Sequence, residues 1–133
     1  APYLAVQFVA GIIGAVVATN LLVVEGDVES MILETWPAFT AELLFTFALA
    51  YVILNVATSE TTEGNGFYGA AIALVVLAGA LSVGSISGAS FNPAVTASLI
   101  VSDRLSIEDC WIHFIPQLLG GCLAALAFKF QRD

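Results

Sequence analysis

Two apolar segments of this chain are separated by Ser87-Gly88-Ala89-Ser90-Phe91-Asn92-Pro93-Ala94-Val95-Thr96, a run of small residues that ends in a helix start. Asn caps a helix by accepting a backbone N–H, and Pro at the first helical position gives up no donor the helix needs. The apolar stretch that follows, 93–101, is far short of the roughly 20 residues needed to cross a bilayer. Irregular backbone at membrane depth survives only when buried in protein or lining a water-filled path. A short helix opened between membrane-length segments therefore predicts a re-entrant half-helix beside a pore.

The surroundings make the bilayer the relevant solvent. Of the 133 residues, 59% are hydrophobic and 11% charged, whereas a soluble domain carries about 25% charged residues. Four segments have spanning length: 3–24, 39–57, 67–85 and 107–130. Trp36-Pro37 supplies an interfacial aromatic and a helix-starting proline before the second, Asn65-Gly66 breaks the chain before the third, and Trp111 marks one end of the fourth. Lys129 and Arg132 at the other end favour a cytoplasmic C-terminus, against Arg104 on the far side. The chain opens on Ala1 and turns apolar at once, without the basic flank or cleavage pattern of a signal peptide. It reads as a cut or processed part of something longer.

The net charge of −8 excludes nucleic acid as a partner, because nothing here could neutralise a row of phosphates. Glu25, Asp27, Glu29 and Glu34 fall in one connection and Glu60 and Glu63 in another. They read as solvated loops, or as a vestibule that attracts cations. Cys110 and Cys122 fall in the last apolar segment, too far apart along one helix for a disulfide. They read as packing residues.

Val6-Gln7-Phe8-Val9-Ala10-Gly11 is echoed by Pro116-Gln117-Leu118-Leu119-Gly120-Gly121, and both blocks continue as Ala- and Gly-rich helix. Repeats of membrane-bundle size are how many transport proteins are built, often with inverted topology. On this reading, 1–25 is the last span of one repeat, 26–38 is an acidic connecting loop, and 39–133 is the next repeat. Small residues such as Gly11, Gly14, Gly79, Gly120 and Gly121 let helix backbones approach closely in lipid.

Three polar positions invite a chemical reading. A half-helix starting mid-membrane aims the positive end of its dipole into the cavity. The Asn92 amide then offers donors to a passing oxygen and upstream carbonyls offer acceptors, which suits a neutral hydroxylic molecule and disfavours a cation. Glu42 is an acid inside a span, expensive and therefore a functional candidate; its expected role is to accept hydrogen bonds from N–H groups of the re-entrant loop. His113, the single histidine, reads as an interfacial or packed polar residue. No cluster of Cys, His and carboxylates has metal-ligand spacing, and no nucleophile–base pair is visible. No cofactor, metal site or enzymatic activity is expected.

Taken together, these residues resemble the major intrinsic protein family, the aquaporins and aquaglyceroporins. Tyr3-Leu4-Ala5-Val6-Gln7 is similar to the family's third span and Ala41-Glu42-Leu43-Leu44-Phe45-Thr46-Phe47 to its fourth. Ser87-Gly88-Ala89-Ser90-Phe91-Asn92-Pro93-Ala94 is similar to a loop with its Asn-Pro-Ala signature, and 117–128 to the closing span. The resemblance implies an all-α membrane protein: a partial aquaporin-like right-handed helical bundle of four spans plus one re-entrant half-helix. It implies a passive channel for water or small neutral solutes such as glycerol, or alternatively a non-conducting subunit of a larger membrane complex. Its partners would be the bilayer, the solute, and either identical copies in a homotetramer or other membrane subunits. By the same resemblance, Asn92, Pro93 and Ala94 form the pore motif and Glu42 braces the loop. Val95 stands where the family usually has an arginine, and Ala80 stands at the filter position of the preceding span. Both imply a wider, less polar constriction than that of a strict water channel.

Overall fold

The computed structural model describes residues 2–21 and 29–132. Those residues fold into five α-helices: α1 (Pro2–Leu21), α2 (Thr35–Ala57), α3 (Tyr68–Ser87), α4 (Pro93–Val101) and α5 (Trp111–Arg132). Short 3-10 turns at Glu60–Thr62 and Ile107–Asp109 lie in the connections. The helices α1, α2 and α3, and the stretch Ile107–Gln131 that contains α5, are long and apolar enough to cross a membrane. With nine residues, α4 is about 14 Å long.

The helix ends differ from the apolar runs where local chemistry extends or trims them. Instead of starting at residue 39, α2 begins at Thr35, because Trp36 and Pro37 join its first turn, where proline removes no needed hydrogen bond. The third helix runs two residues past the expected 85, to Ser87, and stops where Gly88 adopts φ 78° and returns its N–H to the Gly84 carbonyl at 2.9 Å. The fourth segment starts with a 3-10 turn at 107–109 before α5 proper. This places Cys110 ahead of α5 and Cys122 within it, both as free thiols. Residues 22–28, which hold the expected end of the first span, Glu25 and Asp27, lie outside the described residues, as do Ala1 and Asp133. Of the expected 26–38 loop, 29–34 is non-helical. It returns over the end of α4: Met31 N–H donates to the Arg104 carbonyl at 3.0 Å and Ser30 Oγ to the Asp103 carbonyl at 2.8 Å.

Packing centres on α2, which lies along both α5 and α3, while α1 packs chiefly on α4. Helices α2 and α5 run in the same direction. Phe39 meets Trp111 at one end (ring centroids 6.5 Å apart), and Gln131 bonds Asn55 and Tyr51 at the other. Gly120 makes their close approach possible. A Cβ there would sit 2.6 Å from the Leu43 carbonyl oxygen and 2.9 Å from the Phe47 nitrogen, so any larger residue would force the backbones apart. Gly11 does the same for α1 and α4, where a Cβ would lie 2.7 Å from the Ala94 oxygen. Gly11 is the tenth of the twenty residues of α1. The first turn of the half-helix therefore sits against the midpoint of a spanning helix.

Candidate functional site: the tip of a re-entrant half-helix

The loop from Gly88 to Asn92 carries the chain from the end of α3 to the start of α4 in a conformation that ordinary sequence disfavours. Besides Gly88, Ala89 and Phe91 both have φ of 51°, and left-handed backbone costs a residue with a Cβ about 1 kcal/mol or more. Two sets of contacts hold it. The Phe91 ring stacks on Phe45 with centroids 5.2 Å apart and fills the space left by Gly79, where any side chain would collide with it. The second set is polar and converges on Glu42.

Glu42 is fully buried on the second turn of α2. Its Oε1 accepts from Ser87 Oγ at 2.7 Å and from the Ser90 N–H at 3.0 Å. Oε2 accepts from the Phe91 N–H and from Gln117 Nε2, both at 2.8 Å. All four partners donate, so the carboxyl group acts purely as an acceptor, at the point where the loop leaves two backbone N–H groups without secondary-structure partners. A hydrogen bond contributes about 0.5–1.5 kcal/mol net, so the four together offset the strain of the two left-handed residues.

His113 is fully buried too, but it does not coordinate the acid. Its Nε2 lies 3.9 Å from Glu42 Oε1 and 2.7 Å from the Ser87 carbonyl. A carbonyl only accepts, so Nε2 bears the proton. His113 thus fastens the last residue of α3 to α5. Its Nδ1 and the Thr46 hydroxyl are buried with no hydrogen-bond partner among the described residues.

At the tip itself, Asn92 Oδ1 accepts the Ala94 N–H at 2.9 Å and Pro93 opens the helix. The cap uses the oxygen and leaves the amide. Among the described residues, neither Asn92 Nδ2 nor the Val95 N–H has a hydrogen-bond partner. The carbonyls of Gly88, Ala89, Ser90 and Phe91 accept none either. A row of open acceptors therefore leads to a pair of open donors at the positive end of a helix dipole. Such a row can exchange hydrogen bonds with water or an alcohol, which both donates and accepts, whereas a cation would meet the dipole's repulsive end.

Ala94 is buried against α1, and Val95, beside it on the first turn of α4, is 41% exposed. Ala80 is exposed on α3, which shares no extended packed face with α4. The two residues do not pack into one cluster with Glu42. Sequence reading singled out Glu42 and Asn92 but passed over Ser87, Ser90, Thr96 and the bonding of Gln117. The signal for Gln117 was available: an uncharged polar side chain inside an apolar span needs a partner there.

These features are those of a multi-pass integral membrane protein with a re-entrant half-helix packed against its spanning helices. The profile of the family described as Major intrinsic protein matches residues 1–128, and the chain belongs to that family. Among its curated relatives, Glycerol uptake facilitator protein-like 6 of Lactiplantibacillus plantarum is 36% identical over 92 residues, covering 68% of this chain and 42% of the relative. Aquaporin Z of Brucella melitensis is 42% identical over 93 residues (65% of this chain, 40% of the relative). Aquaporin TIP1-2 of Musa acuminata is 30% identical over 129 residues, which is 91% of this chain and 51% of the relative. The chain thus spans about two fifths to one half of the length of these relatives.

Proposed function

We propose that the protein is a passive transmembrane channel for water or small neutral solutes such as glycerol, with Asn92 at the narrow part of the path. The observation that carries this reading is the donor and acceptor row at the tip, unpaired among the described residues and set against the midpoint of α1. Leaving such groups without partners in a bilayer would cost several kcal/mol each, so a wet path beside them is the economical explanation. Relatives named for glycerol uptake and as aquaporins support the same class of solute. Val95 and Ala80 would line the constriction with apolar, uncharged surface, which favours a solute carrying CH groups alongside its hydroxyls. Glu42 serves this function by bracing the loop.

Stopped-flow swelling and shrinking of vesicles carrying the complete protein tests the proposal. Water or glycerol flux well above that of empty vesicles is expected. Asn92→Ala, with assembly intact, is expected to lower the flux about tenfold, the factor for one lost hydrogen bond at a desolvated site. Flux no faster than empty vesicles would contradict the channel and favour a non-conducting subunit.

A further inference from the structure

Gln117 lies on α5, is 97% buried and takes part in more than the support of Glu42. Its Nε2 faces Glu42 Oε2 at 2.8 Å. Because that oxygen accepts, the contact fixes which end of the amide is nitrogen. The second N–H on the same nitrogen reaches Thr96 Oγ1 at 2.9 Å, with Ser90 Oγ farther off at 3.3 Å. Thr96 Oγ1 lies 2.7 Å from Ser90 Oγ, and Ser90 Oγ lies 3.1 Å from the Asn92 carbonyl oxygen. Thr96 is fully buried and Ser90 nearly so.

One end of this chain of contacts is locked, and the shortest contacts beyond it share one consistent direction. Gln117 Nε2 donates to Thr96 Oγ1, which leaves the Thr96 hydroxyl to donate to Ser90 Oγ at 2.7 Å, the nearest of its acceptors; the Asn92 carbonyl oxygen and Gln117 Oε1 both lie at 3.3 Å. Ser90 in turn donates to the Asn92 carbonyl. Every hydroxyl then donates once along the chain, and the sequence runs without conflict from the Glu42 carboxyl group to the peptide of Asn92. The same carbonyl also accepts the Thr96 N–H at 2.9 Å, the first hydrogen bond of α4.

We propose that Gln117 is a positioning residue for the tip of α4: it orients the Thr96 and Ser90 hydroxyls so that they hold the Asn92 peptide, and through it the direction of the Asn92 side chain. Glu42 grips the loop ahead of the tip, and Gln117 grips the first turn behind it. The consequence for transport rests on the channel reading above; the consequence for the position of the tip does not. An apolar residue at 117 leaves Glu42 Oε2 one donor short and frees both hydroxyls to reverse, which loosens the start of the half-helix without removing any group from the solute path.

The test uses the complete protein in vesicles with Cys110→Ser and Cys122→Ser, and Val95→Cys as a reporter on the first turn of α4. Labelling by a small methanethiosulfonate reagent is followed with and without Gln117→Leu. The introduced thiol is expected to label about tenfold faster in the Gln117→Leu protein, the population factor for leaving one buried polar group unpaired. Parallel flux measurements without the reporter should show a changed ratio of glycerol to water permeability. A Gln117 that only added stability would lower the melting temperature but leave both the labelling rate of folded protein and the permeability ratio at the parent values; that result overturns the proposal. Thr96→Val, which breaks the middle of the chain at constant volume, should reproduce the Gln117→Leu labelling and decides the matter if Gln117→Leu fails to assemble. If the parent protein passes no solute, the channel reading fails while the labelling comparison still judges Gln117.

Discussion

Helices α1 and α5 are both apolar and of spanning length, yet they hold their places by different means. In the most apolar 18-residue window of α1, 6% of residues are buried; in that of the α5 segment, 39% are. The buried residues of α5 include Ile112, His113, Gln117 and Ala124, and two of the polar ones bond the α3 end, the loop or α4. The buried residue of α1 is Ala15, and the helix as a whole packs chiefly on α4. Lipid tails are as apolar as leucine, so a helix gains little by hiding leucine from them. Helix position here is therefore set by close backbone approach and by polar bonds that lipid cannot supply. Where those are present the helix is fixed; elsewhere its apolar surface faces lipid or further protein.

Substitutions that remove or spare these two devices should separate the regions, and the largest effect is expected at Glu42. Glu42→Ala leaves four buried donors without an acceptor, two of them backbone N–H groups. A loss of about 4 kcal/mol or more is expected, seen as failure to purify as a folded species or as a large drop in detergent melting temperature. Retained stability would mean that the loop is held by Phe91 packing alone.

Gly120→Leu should come next. The new side chain would meet the α2 backbone at Leu43 and Phe47, and overpacking of this kind costs about 1–3 kcal/mol. Thermal unfolding in detergent reads the change. The smallest effect is predicted from a pair on α1 itself. Gly11→Ala places a methyl group 2.7 Å from the Ala94 oxygen, whereas Gly14→Ala places one in open space. Gly11→Ala should lower the melting temperature by the equivalent of about 1 kcal/mol, and Gly14→Ala should leave it unchanged or slightly raised. Equal behaviour of the two would remove the distinction drawn for α1.

Much of the fold was legible because membrane helices announce themselves by length and apolarity. The half-helix at 93–101 was readable for a second reason: its cap and proline are local signals that tertiary contacts do not override. Helix ends were less so. Thr35 and Trp36 are not part of the apolar run, and their inclusion in α2 depends on backbone geometry that hydropathy does not register. At the site, Glu42 stood out because an ionisable group in a span is conspicuous. Ser87, Ser90 and Thr96 did not, because hydroxyl residues are common in such helices and their meaning lies in which of them converge. That convergence joins residues up to 75 positions apart, as in the bond from Gln117 to Glu42, and one-dimensional patterns do not encode it.

The central claim is that the tip of α4 lies deep in the membrane and beside water. A spin label attached through Val95→Cys in the complete, reconstituted protein tests both halves at once: collision with oxygen or a nickel complex reports depth, and the deuterium signal in heavy water reports hydration. The account predicts a label near the bilayer midplane with a strong deuterium signal. A label at headgroup depth, or one at the midplane with no deuterium signal, would contradict it.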